Sequence, residues 1–148
     1  MDPKYAVRPE SEIVAESSLP TILLVDDDET IRESLAWRLE NLGYRVLAAA
    51  LGREALRVAR EEPPDAVILD ICLPDVDGLR VCRALMEDPR TCDVPVIILS
   101  AVDDRDIVRR CRAAGGQFFL AKPFDLNVLV TVLEQAVGDR RWWGRECG

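Results

Sequence analysis

Four apolar runs, far apart in the chain, each stop on a polar residue. Leu23-Leu24-Val25 runs into Asp26-Asp27-Asp28, and Val67-Ile68-Leu69 into Asp70. Val96-Ile97-Ile98-Leu99 runs into Ser100-Ala101, and Phe118-Phe119-Leu120-Ala121 into Lys122-Pro123. Short continuous apolar runs suit strands buried on both faces. The pattern predicts strands over Thr21–Val25, Tyr44–Ala48, Ala66–Asp70, Val96–Ser100 and Gln117–Leu120. Between them the spacing turns helical, over Glu29–Asn41, Gly52–Glu61, Leu79–Met86 and Asp104–Ala114, with a last helix opening at Asp125. Inward stripes are expected at Ile31, Leu35, Leu39 and Leu42, at Ala55, Leu56 and Ala59, and at Leu126, Leu129, Val130, Leu133 and Val137. Gly43, Pro63-Pro64 and Gly115-Gly116 mark helix ends.

Five strand–helix units in strict alternation imply an α/β fold with a parallel sheet, doubly wound by right-handed crossovers and covered by helices on both faces. Ligands of such sheets sit beyond the carboxyl ends of the strands, at the point where strand order reverses. The polar residues that end the four runs therefore converge. Residues 1–19 read as a flexible leader, 20–138 as the domain, and 139–148 as a short tail with no room for an effector domain. Trp142-Trp143 in that tail would expose costly aromatic surface unless it docks.

Composition narrows the chemistry. A net charge of −8 argues against a nucleic-acid surface, and no apolar run reaches the length of a membrane span. The N-terminus lacks the pattern of a secretory signal, which favours a cytoplasmic protein. The five cysteines, Cys72, Cys82, Cys92, Cys111 and Cys147, show no Cys-x-x-Cys spacing and are expected to be reduced packing residues. The chain has no histidine, so any phosphoryl chemistry runs through a carboxylate or a hydroxyl. Lysine occurs only at Lys4 and Lys122, against many arginines, which singles out Lys122.

Asp26, Asp27 and Asp70 would crowd carboxylates together, a conflict that a hard cation such as Mg2+ relieves. Asp28 fits a helix cap better than a metal ligand. A lone carboxylate beside a cation, Asp70, could attack phosphorus and become an acyl phosphate. Ser100 could hydrogen-bond the phosphoryl oxygens, and Lys122 could pair with Asp70 and then with the phosphoryl group.

The acidic run after the first strand, the Asp-x-x-Leu-Pro-x-x-Asp-Gly stretch at Asp70–Gly78, Ser100-Ala101 and Lys122-Pro123-Phe124 stand in the order found in receiver domains of bacterial response regulators. The chain resembles that family over roughly Pro20 to Gly138. The resemblance implies a flavodoxin-like sheet of order 2-1-3-4-5 and a phosphorylation-controlled switch of the stand-alone kind. It implies Asp70 as phosphoacceptor, with Mg2+ (or Mn2+ in its place) on Asp26, Asp27, Asp70 and the Cys72 backbone carbonyl. Ser100 and Phe119 would be switch residues, Lys122 a phosphoryl contact, and the bond before Pro123 cis. The donor would be a sensor histidine kinase or a phosphotransfer protein. The response would move the face formed by the fourth helix, fifth strand and last helix to alter binding of a downstream protein, as a monomer or a phosphorylation-dependent dimer. Such a chain catalyses its own phosphorylation and its own dephosphorylation.

Two departures bear on this. Cys72 and Val102 stand where family members often carry polar side chains that influence attack by water, so slow autodephosphorylation is expected. Gly116-Gln117-Phe118 and the arginine-free stretch Leu126–Val137 lack charges that winged-helix regulators often use to dimerise. The fourth helix is basic instead, with Arg105, Arg109, Arg110 and Arg112. The alternatives are a Mg2+-dependent phosphohydrolase with an aspartyl nucleophile and a nucleotide-binding module. The first usually has a second Asp two residues past the nucleophile, where this chain has Cys72. The second lacks its glycine-rich phosphate loop.

Overall fold

The computed structural model describes residues 19–101 and 105–143. Residues 1–18 of the expected leader, Val102, Cys147 and the end of the tail lie outside them. The elements are β1 (Thr21–Val25), α1 (Glu29–Asn41), β2 (Arg45–Ala49), α2 (Gly52–Glu61), β3 (Ala66–Asp70), α3 (Gly78–Glu87), β4 (Val96–Ser100), α4 (Arg105–Ala113), β5 (Phe118–Ala121) and α5 (Leu126–Trp143). The five strands form one parallel sheet in the order β2-β1-β3-β4-β5.

Alternate residues of each strand point to opposite faces, and this splits the core in two. Leu23, Val25, Val67, Leu69, Val96 and Ile98 face α2, α3 and α4, where they meet Ala55, Ala59, Val81, Cys82, Leu85, Cys111 and Ala114. Ile22, Leu24, Ile68, Ile97 and Leu99 face α1 and α5, where they meet Leu35, Leu39, Leu129, Leu133, Ala136 and Val137. Small residues on α2 let that helix lie close to the sheet. Each fully buried Leu or Ile stabilises the fold by roughly 1.5–3 kcal/mol. Burial on both faces explains why β1, β3 and β4 read as unbroken apolar runs.

Ile31 and Leu42 depart from the expected inward stripe of α1 and are exposed. Ile31 lies in the first turn, beside the crevice at the sheet's edge. Leu42 is the C-cap, past the last helical residue, so helical spacing no longer sets its direction. Gly43 follows with φ +98°, the left-handed conformation that ends a helix. At α5 the helix does not stop at Gly138 but continues to Trp143. Arg109, Arg110 and Arg112 are exposed on α4.

Among the described cysteines, Cys72, Cys82 and Cys111 are free. Cys92 is disulfide-bonded, which corrects the expectation of an entirely reduced set. Cys82 is a buried packing residue, and burial pushes its thiol up to about 12. No helix among the described residues is long and apolar enough to cross a membrane.

Candidate functional site

Strand order reverses at β1, which lies between β2 and β3. The site forms there, at the carboxyl ends of β1 and β3, with β4 and β5 adding residues from one side. Asp26 directly follows β1 and is 1% exposed; Asp70 ends β3 and is 6% exposed. Asp27 is exposed. One carboxylate oxygen from each of these three lies within 4.8 Å of the others. Asp28 separates from this group. Its side chain accepts from the Ile31 N–H at 3.1 Å and caps α1, while its own N–H donates to Asp26 Oδ1 at 2.9 Å. The acidic run therefore divides between cluster and cap, and the cap also orients one cluster carboxylate.

Lys122 reaches the cluster from the end of β5. Its Nζ donates to Asp70 Oδ2 at 2.9 Å and lies 3.6 Å from Asp26 Oδ2. The other Asp70 oxygen, Oδ1, accepts from the Cys72 N–H at 3.0 Å. The peptide bond between Lys122 and Pro123 is cis. Ser100 is fully buried at the end of β4, and its carbonyl accepts from the Lys122 N–H at 2.6 Å. Ser100 and Lys122 are thus joined through the backbone. Phe119 lies opposite Ile98 and packs, half-buried, against the core on the α2–α4 face. Cys72 is exposed beside Asp70.

Burial raises the Asp26 carboxyl above its ordinary value. The Asp28 N–H and the Lys122 ammonium oppose this, while the charges of Asp70 and Asp27 add to it. For Lys122 burial acts downward, but the hydrogen bond and charge of Asp70 outweigh it, helped by Asp26, and the pKa ends above the ordinary value. The ammonium therefore stays charged at neutral pH. Three carboxylates against one ammonium leave two negative charges in a small space. Asp26 Oδ2 is buried and makes no hydrogen bond, its contact with the Lys122 ammonium being an ion pair at 3.6 Å. An acceptor left so costs about 1–3 kcal/mol. An oxygen-ligated divalent cation would relieve both the charge and the orphaned oxygen, so these residues fit Mg2+.

Residues 22–134 match the response regulator receiver domain family. The chain belongs to that family. It is 39% identical over 112 residues to the transcriptional regulatory protein AfsQ1 of Streptomyces coelicolor, a match spanning 75% of this chain and 48% of AfsQ1. The chain spans about half the length of the curated relatives it matches. Among solved structures, the chemotaxis protein CheY4 of Vibrio cholerae superposes with a TM-score of 0.76 at 29% identity, covering 80% of this chain and 98% of that one. The receiver domain of the sensor histidine kinase PA1611 from Pseudomonas aeruginosa superposes with a TM-score of 0.75 at 33% identity, covering 81% and 98%. That structure has a magnesium ion coordinated in its active-site cleft. Receiver domains bind Mg2+ at an acidic pocket and exchange signals with histidine kinases or phosphotransfer proteins in two-component systems.

The receiver fold brings Asp26, Asp27, Asp70 and Lys122 together and sets Ser100 at the neighbouring strand end. One polar contact near the site was not legible in the sequence. Asp75, in the loop after β3, accepts from the Gly52 N–H at 2.8 Å and the Arg53 N–H at 3.0 Å. Its only sequence signal is a turn-like Pro-Asp pair, which carries no hint of a partner 23 residues away.

Proposed function

We propose that this receiver accepts a phosphoryl group from a phospho-histidine onto Asp70 and uses the resulting acyl phosphate to alter binding of a partner protein. The observation that carries the reading is Asp70 itself: a buried carboxylate at the sheet's switch point, bonded to Lys122 and sharing a small space with Asp26 and Asp27. Asp26, Asp27, Asp70 and the Cys72 carbonyl would hold Mg2+, or Mn2+ in its place. When bound, the ion would neutralise the cluster and offset charge on the phosphoryl oxygens.

The protein's own residues then have separable tasks. One Asp70 oxygen attacks phosphorus as the bond from phosphorus to the donor imidazole nitrogen breaks. The imidazole leaves with the electron pair of that bond and is neutral once it holds a proton. The Cys72 N–H holds the carboxylate in orientation. Lys122 shifts its hydrogen bond from Asp70 to a phosphoryl oxygen, and Ser100 offers its hydroxyl to another. Lys122 and Ser100 are linked through the backbone, so movement of either passes to β5 and to Phe119. The face carried by α4, β5 and α5 is then the surface whose partner binding changes.

Incubation of the full chain with acetyl phosphate and Mg2+, followed by intact mass, tests the reading. A single adduct of about 80 Da is expected for one phosphoryl group, absent in Asp70→Asn and absent without divalent metal. An adduct that survives Asp70→Asn overturns the assignment. The adduct is expected to persist for minutes or longer, since the Cys72 side chain orients water weakly; decay within seconds would refute that part.

A further inference from the structure

The loop between β3 and α3 is fastened at both ends, and only one of the fastenings is local. At its base the Gly78 N–H donates to the Ile71 carbonyl at 3.0 Å. A Cβ placed on Gly78 would lie 2.6 Å from Ile71 Cα, so the backbone closes on itself with no room for a side chain. At its tip the loop is tied to a different element. The N-cap of α2 is Leu51, whose side chain makes no capping bond, so the first N–H groups of that helix need a partner from elsewhere. Asp75 supplies it to both Gly52 and Arg53. These bonds, the one from Arg53 foremost, hold its carboxyl below the usual range. The contact is tight: a Cβ on Gly52 would come within 2.2 Å of Val76 Cγ2 and 2.8 Å of Val81 Cγ2.

Cys72 lies between these fastenings. Its N–H is fixed on Asp70 Oδ1, and only Leu73 and Pro74 separate it from Asp75. Pro74 fixes its own φ and restricts Leu73 to extended backbone. With both ends held and the middle stiff, the direction of the Cys72 carbonyl follows from where Asp75 is anchored. We propose that Asp75 is a positioning residue for phosphoryl acceptance: by clamping the loop to the N-terminus of α2, it aims the Cys72 carbonyl at the metal position beside Asp70. The proposal rests on the reading of that carbonyl as a metal ligand. It assigns to α2, which contributes no residue to the acidic cluster, the role of the wall against which the metal-binding loop is braced.

A cap can be replaced locally, whereas a clamp cannot, and that difference supplies the test. Three full-length proteins are compared: wild type, Asp75→Ala, and Asp75→Ala with Leu51→Ser, which restores a side-chain cap to α2 without tying it to the loop. The measurements are the melting temperature, amide exchange of Cys72 and Val76 in metal-free protein, the Mg2+ dissociation constant, and the rate of labelling by acetyl phosphate. Asp75→Ala is expected to lower the melting temperature, speed exchange at both amides and weaken Mg2+ by about tenfold. The added Leu51→Ser is expected to recover the melting temperature and leave exchange and Mg2+ affinity impaired. Restoration of all of them by Leu51→Ser, or a Mg2+ affinity within about twofold of wild type in Asp75→Ala, would overturn the clamp. Wild-type protein that takes neither Mg2+ nor a phosphoryl group would overturn the functional reading instead. A competent wild type with indifferent variants would overturn only the role of Asp75.

Discussion

Leu24 and Asp26 stand two residues apart, both withdrawn from water, and they obey opposite physics. Leu24 belongs to the sheet interior with Ile22, Ile68, Ile97 and Leu99, an apolar cluster in which burial is favourable. Asp26 belongs to the carboxyl edge with Asp70 and Lys122, where burial raises a carboxyl's pKa and one oxygen makes no hydrogen bond. The same strand thus carries a stabilising segment and, one step past its end, a destabilising one. The interior holds strands in register so that the edge can hold charges where water would not leave them. Strain of this kind concentrates at functional positions and is tolerated because the surrounding structure over-determines it.

Substitutions on the two sides should therefore differ in sign. Leu24→Ala leaves a cavity in a fully buried position and is expected to cost about 3 kcal/mol in urea denaturation, with Mg2+ affinity of the folded protein unchanged. Asp26→Asn should do the reverse. In metal-free protein it removes a buried charge and is expected to raise stability by about 1 kcal/mol. Mg2+ is expected to raise the melting temperature of the wild type by binding the folded state alone, and Asp26→Asn should abolish that rise. If Asp26→Asn destabilises the metal-free protein, the contrast between interior and edge is wrong.

A smaller effect lies far from both regions and calibrates them. Asp88 is held by the side chain and backbone N–H of Arg90 and by Arg60, which lower its pKa to about 2. The folded value lies below the unfolded one of about 4, so its contribution is complete above about pH 4 and is lost as pH falls toward 2. Melting curves of wild type and Asp88→Asn should differ most near pH 6, approach each other as pH falls below about 4, and meet only below about pH 2. The difference should be modest, because ion pairs open to solvent are weak.

The legibility of the molecule follows the same division. β1, α1, α2, β3 and β4 fall where the sequence pattern puts them, because two-sided burial leaves unbroken apolar runs and the ends are marked by Asp, Gly or Pro. Cluster residues were legible because each ends such a run, and the fold brings run ends together. The misses occurred where a residue's role depends on a distant element. The expected domain boundary at Gly138 is not a helix end: among the described residues only Gly43 and Gly115 have positive φ, and α5 passes through Gly138 at a cost of about 1 kcal/mol relative to Ala. Ile31 carries the correct helical phase but lies beside the crevice, where the sheet no longer covers it. Asp75 has no local signature, since its partners belong to a helix that precedes it by more than twenty residues.

The bond from Lys122 to Asp70 joins residues 52 positions apart and crosses over the end of β4. It ties an outer strand, hydrogen-bonded to a neighbour on one side alone, to a central strand gripped on both. Of the two, the outer strand can yield with the fewer broken backbone bonds. A chemical event at the stiff middle of the sheet would thereby be felt as a change of tension at its margin, with the lysine as the leash that converts one into the other.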